Sequence, residues 1–197
     1  TQKENDLIIH IGNKLPQRIE APVRAVVDAE RRHHIEKNHT ATHLMHAAMH
    51  QVLGDHALQK GQDVDDQRLR FDFSHFQKVS DEELQQIEDI VNEKVRANIE
   101  LEEARDIPIE VAKEAGAMML FGEKYGNLVR MITFDENFSR ELCGGTHVPA
   151  TGKIGLFKIT SEGAVAAGIR RIEAITAEKA EAYVKSELRE LDEIREL

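Results

Sequence analysis

Apolar and polar positions alternate along several short stretches of the chain and recur at helical spacing along two longer ones. In RLRFDFS at 68–74, Leu69, Phe71 and Phe73 share one face, the mark of a half-buried strand. LIIHI at 7–11 and PVRAVV at 22–27 read as two more strands, bounded by Gly12, Pro16 and Pro22. IPIEVA at 107–112, LVRMITF at 128–134, KIGLFKIT at 153–160 and GIRRIEAIT at 168–176 are further strands, separated by Gly-bearing turns. SDEE at 80–83 forms a capping box from Ser80 and Glu83. Leu84, Ile87, Val91 and Val95 follow at helical spacing, which predicts a long amphipathic helix to about residue 104. A second helix is predicted from Asn38, as N-cap, through HTATHLMHAAMHQVL to a stop at Gly54. Strands and helices in irregular alternation predict an α+β fold, a mostly antiparallel sheet packed with helices.

The two ends read differently from the middle. Two strands make no stable sheet alone, so the first thirty or so residues read as the tail of a preceding β domain. The final stretch, AEKAEAYVKSELRELDEIREL, has no stop signal, and Tyr183, Val184, Leu188, Leu191, Ile194 and Leu197 form a seam. That is the pattern of a long helix or coiled coil, and it permits self-association.

Composition bounds the function without choosing it. With 197 residues, 41% hydrophobic and 31% charged, the chain holds one substantial domain with appendages, and whole-chain disorder is excluded. No apolar run approaches the roughly 20 residues of a membrane-spanning helix, so a membrane protein is excluded as well. The N-terminus lacks a basic n-region, an apolar h-region and an initial Met, and the chain reads as an excised piece of an intracellular protein. The net charge of −10 comes from residues 80–106 and 176–197, which carry −7 and −3. Elsewhere acids and bases balance, so the acidity belongs to two solvated helices and leaves an RNA partner open. The single cysteine, Cys143, has no internal disulfide partner and is available as a metal ligand or nucleophile.

Ten histidines turn attention to metal. His39, His43, His46 and His50 lie on one narrow stripe of the predicted helix, each adjacent pair aimed into the same space. Spacing does not distinguish the pair 39 and 43 from the pair 46 and 50. CGGTH at 143–147 puts the only Cys four residues before another His, and Gly144 and Gly145 let the backbone fold tightly enough to aim both side chains at one point. Two imidazoles and a thiolate, with or without a third imidazole, suit Zn²⁺ at bond lengths near 2.0–2.3 Å. Thr40 stands where a zincin needs its Glu, and one Cys cannot make the C-x-x-C of a zinc nucleobase deaminase or the Cys pair of a zinc finger.

KNHTATHLMHAAMHQVLG, ALQKG, RLRFDFSH, AMMLFGEKYG, SRELCGGTH and GIRRIEAIT, in that order, resemble the editing domain of alanyl-tRNA synthetase over about residues 33–176, and free-standing alanyl-tRNA editing proteins more distantly. The related threonyl domain typically carries Cys-Arg-Gly-Pro-His, so Gly144 and Thr146 favour the alanyl family. The resemblance implies three parts: residues 1–32 end a preceding β-barrel, 33–176 form a zinc-dependent editing domain, and 177–197 begin a long helical linker. It implies His39, His43, Cys143 and His147 as zinc ligands, with His46 and His50 lining the pocket or serving structure. It also implies a cytoplasmic ligase fragment without the aminoacylation domain that would bind ATP. The remainder of the synthetase and tRNA(Ala) mischarged with serine or glycine would be its partners, and cleavage of the mischarged ester its reaction.

A synthetic pocket for alanine admits smaller glycine and rejects an added hydroxyl poorly, so a second site must remove both errors. A polar group bonding the serine hydroxyl would be left unpaired by alanine, at about 1–3 kcal/mol. Gln59 matches a family position lining the amino-acid pocket, and Thr42 precedes a ligand on the same helix; a turn Gln and a core Thr are the bland alternatives. The backbone from Gly144 through Gly145 to Thr146 would orient a water-derived nucleophile, with Cys143 as nucleophile the rival. Zinc could polarise the ester, make hydroxide or anchor the substrate amine. Arg170 and Arg171 face opposite ways on a strand, so one could meet RNA phosphate while the other pairs with an acid. Lys60 and Lys124 are candidate phosphate contacts, with exposed lysines of no such role the bland alternative, and Phe71, Phe73 and Phe134 read as core. The alternative function is a structural zinc-binding module for RNA or protein, without hydrolysis.

Overall fold

Helix α1, Ala29–Leu53, is the element against which much of the rest packs, and its sequence shows no apolar stripe because residues from Asn38 to Met49 are buried nearly all round. A computed structural model describes residues 2–4, 7–14, 17–18, 20–119 and 125–196. Strands β1 (Gln2–Glu4) and β2 (Leu7–Ile9) pair as an antiparallel hairpin. After α1 come β3 (Gln59–Val64), β4 (Leu69–Ser74), α2 (Asp81–Arg96), β5 (Glu102–Pro108) and α3 (Ile109–Glu114). Then follow β6 (Leu128–Phe134), β7 (Ser139–Leu142), a 3-10 turn at Thr151–Ile154, β8 (Phe157–Ala166), β9 (Ile169–Thr176) and α4 (Ala177–Arg195). One antiparallel sheet runs β3-β4-β9-β8 and another β5-β6-β7. The class is α+β, with antiparallel sheets packed with helices and a helix at the C-terminal end.

The core joins these layers. Leu44, Met45 and Met49 of α1 are buried in one cluster with Phe71 and Phe73 of β4, Ile87 and Val91 of α2, Phe134 of β6, Phe157 of β8 and Ile172 of β9. Each such side chain contributes about 1.5–3 kcal/mol through removal from water. Phe71, Phe73 and Phe134 are core, as expected from the sequence. Among the described residues no helix is long and apolar enough to cross a membrane.

Several local expectations are corrected. Helix α1 begins nine residues before Asn38, capped by Asp28, whose side chain accepts from the Arg31 N–H at 3.0 Å. Asn38 instead spends its amide on tertiary bonds, donating to the Asp65 carbonyl at 2.9 Å and accepting from the Thr176 hydroxyl at 2.7 Å. The capping box of Ser80 and Glu83 is present, but α2 ends at Arg96, where Asn98 turns into the left-handed region at φ 49°. The acidic stretch that follows is β5 rather than helix, because it pairs with β6. IPIEVA is not one strand: Pro108, without an N–H for a ladder, ends β5, and α3 starts at Ile109. Residues 22–27 form no strand, and Val23, Val26 and Val27 are more than half exposed. Strands β3 and β7, too polar or too short to alternate legibly, had no counterpart in the sequence reading. Pro16, Lys124 and part of AMMLFGEKYG lie outside the described residues.

Candidate metal centre and adjoining pocket

Four residues along α1 separate His39 from His43, which brings their rings to a centroid distance of 5.1 Å. The segment after β7 then carries Cys143 and His147 to the same place: the His147 ring lies 4.4 Å from that of His39 and 4.6 Å from that of His43. One potential ligand atom from each of His39, His43, Cys143 and His147 lies within 4.8 Å of all the others. His46 and His50 continue down the helix to pack on each other and, for His46, on Phe71. The structure thus separates the two histidine pairs that spacing alone left equivalent.

The loop is held from both sides. Arg130 of β6 donates through Nη1 to the Cys143 carbonyl at 2.9 Å and to the Gly145 carbonyl, while its Nε meets Glu103. Arg130 and Arg105 in turn hold the Glu103 carboxyl down to about 2. Cys143 Sγ accepts from the Gly145 N–H at 3.4 Å and lies 3.6 Å from His39 Nε2. Only one of the two loop glycines is demanded by space. A Cβ on Gly145 would fall 2.1 Å from the His39 ring, whereas one on Gly144 would meet nothing within 4 Å.

Each imidazole has an oxygen beside Nδ1. His39 Nδ1–H donates to the Thr146 carbonyl at 3.2 Å, so Thr146 supports a candidate ligand through its backbone. His147 Nδ1 bonds the Thr40 hydroxyl at 3.2 Å, and the same hydroxyl accepts from the Val148 N–H. His43 Nδ1 faces Glu141 Oε2 at 3.5 Å, within ion-pair reach but with no hydrogen bond formed. This leaves the Nε2 atoms for the centre, and that of His147 is buried without a protein partner. Burial pushes all three imidazoles toward the neutral form: His39 is lowered, His43 is lowered well below its ordinary value, and His147 falls to about 3, with neighbouring rings and Arg130 adding to the effect. Neutral imidazoles and a cysteine that binds as thiolate are the donors that a borderline-soft cation such as Zn²⁺ takes. The residues therefore fit that ion by chemistry and by an orphaned donor atom.

Beside the four lies a pocket of about 30 Å³ lined by Thr42, His43, His46, Gln59, Gln62, Phe71, Glu141, Leu142 and Cys143. That volume holds one or two heavy atoms. Gln59 opens strand β3 rather than standing in a turn, and Thr42 is buried with its hydroxyl donating to the Asn38 carbonyl at 2.9 Å. Thr42 keeps only acceptor capacity for anything in the pocket.

Lys60, Arg170 and Arg171 are neither among the four candidate ligands nor in the lining of this pocket. Both arginines on β9 are engaged by acids: Arg170 by Glu162, and Arg171 by Asp72 at 2.6 and 2.7 Å. Ion pairing therefore does not divide their roles. Lys60 is exposed on β3. Sequence reasoning missed Arg130, Glu141 and Thr40. Thr40 sits between two histidines and Glu141 two residues before the cysteine, but neither signal exceeds that of any polar neighbour, and Arg130 is brought in only by sheet pairing.

Residues 129–173 match the family described as the threonyl and alanyl tRNA synthetase second additional domain. The alanine–tRNA ligase of Cytophaga hutchinsonii is 62% identical over 197 residues, all of this chain and 22% of that protein. That of Salinibacter ruber is 54% identical over 195 residues, 99% of this chain and 20% of the relative. A Shewanella amazonensis relative of the same name is 59% identical over 171 residues, 87% and 19% of the two chains. The chain spans about a fifth of the length of the curated relatives it matches.

Proposed function

Because this chain is homologous along its whole length to a segment of alanine–tRNA ligases and carries the threonyl and alanyl tRNA synthetase second additional domain, we propose that it hydrolyses the ester of tRNA(Ala) mischarged with serine or glycine. The observation that carries this reading is one juxtaposition: four donor atoms within 4.8 Å of one another, adjoining a pocket sized for a hydroxymethyl group. His39, His43, Cys143 and His147 would hold Zn²⁺. The bound ion would supply positive charge for the developing oxyanion or lower the pKa of a water.

The chain's own residues do the selecting. Thr42, its proton already given to Asn38, accepts the hydrogen bond of a serine hydroxyl, and Gln59 closes the same pocket. An alanine methyl would fill the pocket and leave these groups unpaired at about 1–3 kcal/mol, while glycine leaves the space to a water that can pair them. The loop from Gly144 through Gly145 to Thr146 keeps the scissile ester beside the centre, its shape maintained by Arg130. Cys143 acts as a ligand rather than a nucleophile, its sulfur turned toward His39 Nε2 and the Gly145 N–H.

Incubation of the chain with Ser-, Gly- and Ala-tRNA(Ala) tests the reading. Release of serine and glycine with Ala-tRNA spared is the expected result, with at least a hundredfold loss in Cys143→Ala together with its zinc. Unchanged hydrolysis in that variant would remove the proposed site. Four protein ligands also suit a structural zinc site. If chelation melts the domain and no ester is cleaved by the zinc-loaded protein, the binding-module reading replaces the enzymatic one.

A further inference from the structure

We infer that Glu141 is a positioning residue for this centre: its carboxylate orients His43 so that Nε2 faces the other three ligands, and it supplies charge that balances the bound cation. The inference rests on the metal-ligand reading above. Its ground is the asymmetry among the three imidazoles. Backbone of the loop serves His39, a helix hydroxyl serves His147, and only His43 has a carboxylate beside Nδ1. Glu141 is itself 6% exposed, in strand β7 opposite Ile132.

A carboxylate so deeply placed needs a cation or well-made hydrogen bonds. Among the described residues no lysine or arginine pairs with Glu141; its ion-pair partners are the rings of His43 at 3.5 Å and His46 at 4.0 Å. Its Oε1, His43 Nδ1 and both ring nitrogens of His46 are buried without a hydrogen-bond partner, so the carboxylate and the His43 ring stand poised for a bond that a bound cation would draw together, and all three residues line the small pocket. Adding a divalent cation resolves the imbalance. Three neutral imidazoles, one thiolate and one carboxylate carry two negative charges, so the loaded centre is neutral, which burial favours. The carboxylate–histidine–metal arrangement also fixes the tautomer of the ligand and raises its basicity. Glu141 therefore links the metal ligand His43 to the pocket residue His46.

Zinc affinity, measured by competition with a chromophoric chelator in the absence of tRNA, tests this. Glu141→Gln, nearly isosteric, is expected to bind zinc about 10-fold more weakly and Glu141→Ala about 100-fold more weakly. Nitrogen-15 spectra of the histidine rings supply a readout independent of affinity: His43 carries its proton on Nδ1 in the wild type and populates the other tautomer in Glu141→Ala. Should the alanine variant fail to fold, the glutamine variant carries the test alone. Affinities within twofold of wild type in the folded variants would overturn the role of Glu141 and leave the metal reading intact. A wild-type chain that binds no zinc would overturn both. Loss of ester hydrolysis with normal zinc affinity in these variants would count against the positioning role.

Discussion

Two polar regions of the molecule are built from similar residues and end in opposite states. Across β4, β8 and β9, Arg68 meets Glu173, Arg171 meets Asp72 in a bidentate pair, and Arg170 meets Glu162. Asp72 and Arg171 face each other in the strand register, so for this pair the sheet itself delivers charge to partner. At the end of β7 the opposite holds: His147 Nε2, both nitrogens of His46 and Glu141 Oε1 are buried without a protein partner. These three ladder pairs are closed within the protein, with Arg70 Nε on β4 the buried exception, whereas the centre has donors and acceptors in surplus. Buried polar atoms that the chain does not satisfy mark the place where something else is to be bound.

The sharpest way to break that contrast is inside the loop. Gly145→Ala would drive its Cβ against the His39 ring, and displacing one imidazole should weaken zinc binding at least 10-fold. Gly144→Ala, with open space around its Cβ, should bind zinc as wild type does. Chelator competition on both variants checks the pair. Equal affinities would mean that His39 is not held where the centre needs it.

Acid should strip the same region while leaving the ladder alone. The three imidazoles are depressed from about 6.5, with His147 at about 3. Between these values the unfolded chain binds protons that the folded one refuses, so stability is full above about pH 6.5 and lost as pH falls toward 3. Thermal melts of the metal-free protein from pH 7 to pH 4 should show Tm falling. In His147→Asn the slope of stability against pH should shrink by up to about 1.4 kcal/mol per pH unit, one proton's worth. An unchanged slope would show that His147 is not a buried neutral group.

How much of this was open to a sequence reader depends on whether the signal is local. His39 and His43 announce themselves by helical periodicity, and Cys143 to His147 by a spacing closed within five residues. LVRMITF and GIRRIEAIT gave all of β6 and β9 because alternation is written residue by residue. Asn38 misled because an N-cap and a buried tertiary amide use the same side chain, and only the distant Asp65 and Thr176 decide between them. Glu141 and Arg130 were illegible for the same reason. Their roles exist only once β6 and β7 pair and α1 lies against them, a fact carried by hydrogen-bond register rather than by residue type.

Within the pocket the expected effects are smaller and selective. Thr42→Val keeps the shape and removes the one acceptor that Thr42 still offers. Cleavage of the serine ester should fall about 10-fold, one hydrogen bond's worth, while the glycine ester, which sends no side chain there, is cleaved at the wild-type rate. Parallel single-turnover assays on the two substrates check this. An equal loss on both would assign Thr42 to the fold of α1 instead of to discrimination.

The smallest effect belongs to the satisfied region. Arg170 is bound by Glu162 on the neighbouring strand, with only 14% and 2% of the two side chains exposed, so a mild substitution must leave Glu162 a donor. Arg170→Gln keeps a hydrogen-bond donor toward Glu162, so Tm should drop by about 2–4 °C, the shift expected for roughly 1 kcal/mol in a chain of this length. Zinc stoichiometry should stay at the wild-type value, because no atom of the ladder lies among the four candidate ligands. A variant that melts normally but loses zinc would erase the division between the two regions, since it would make the ladder part of the centre's support.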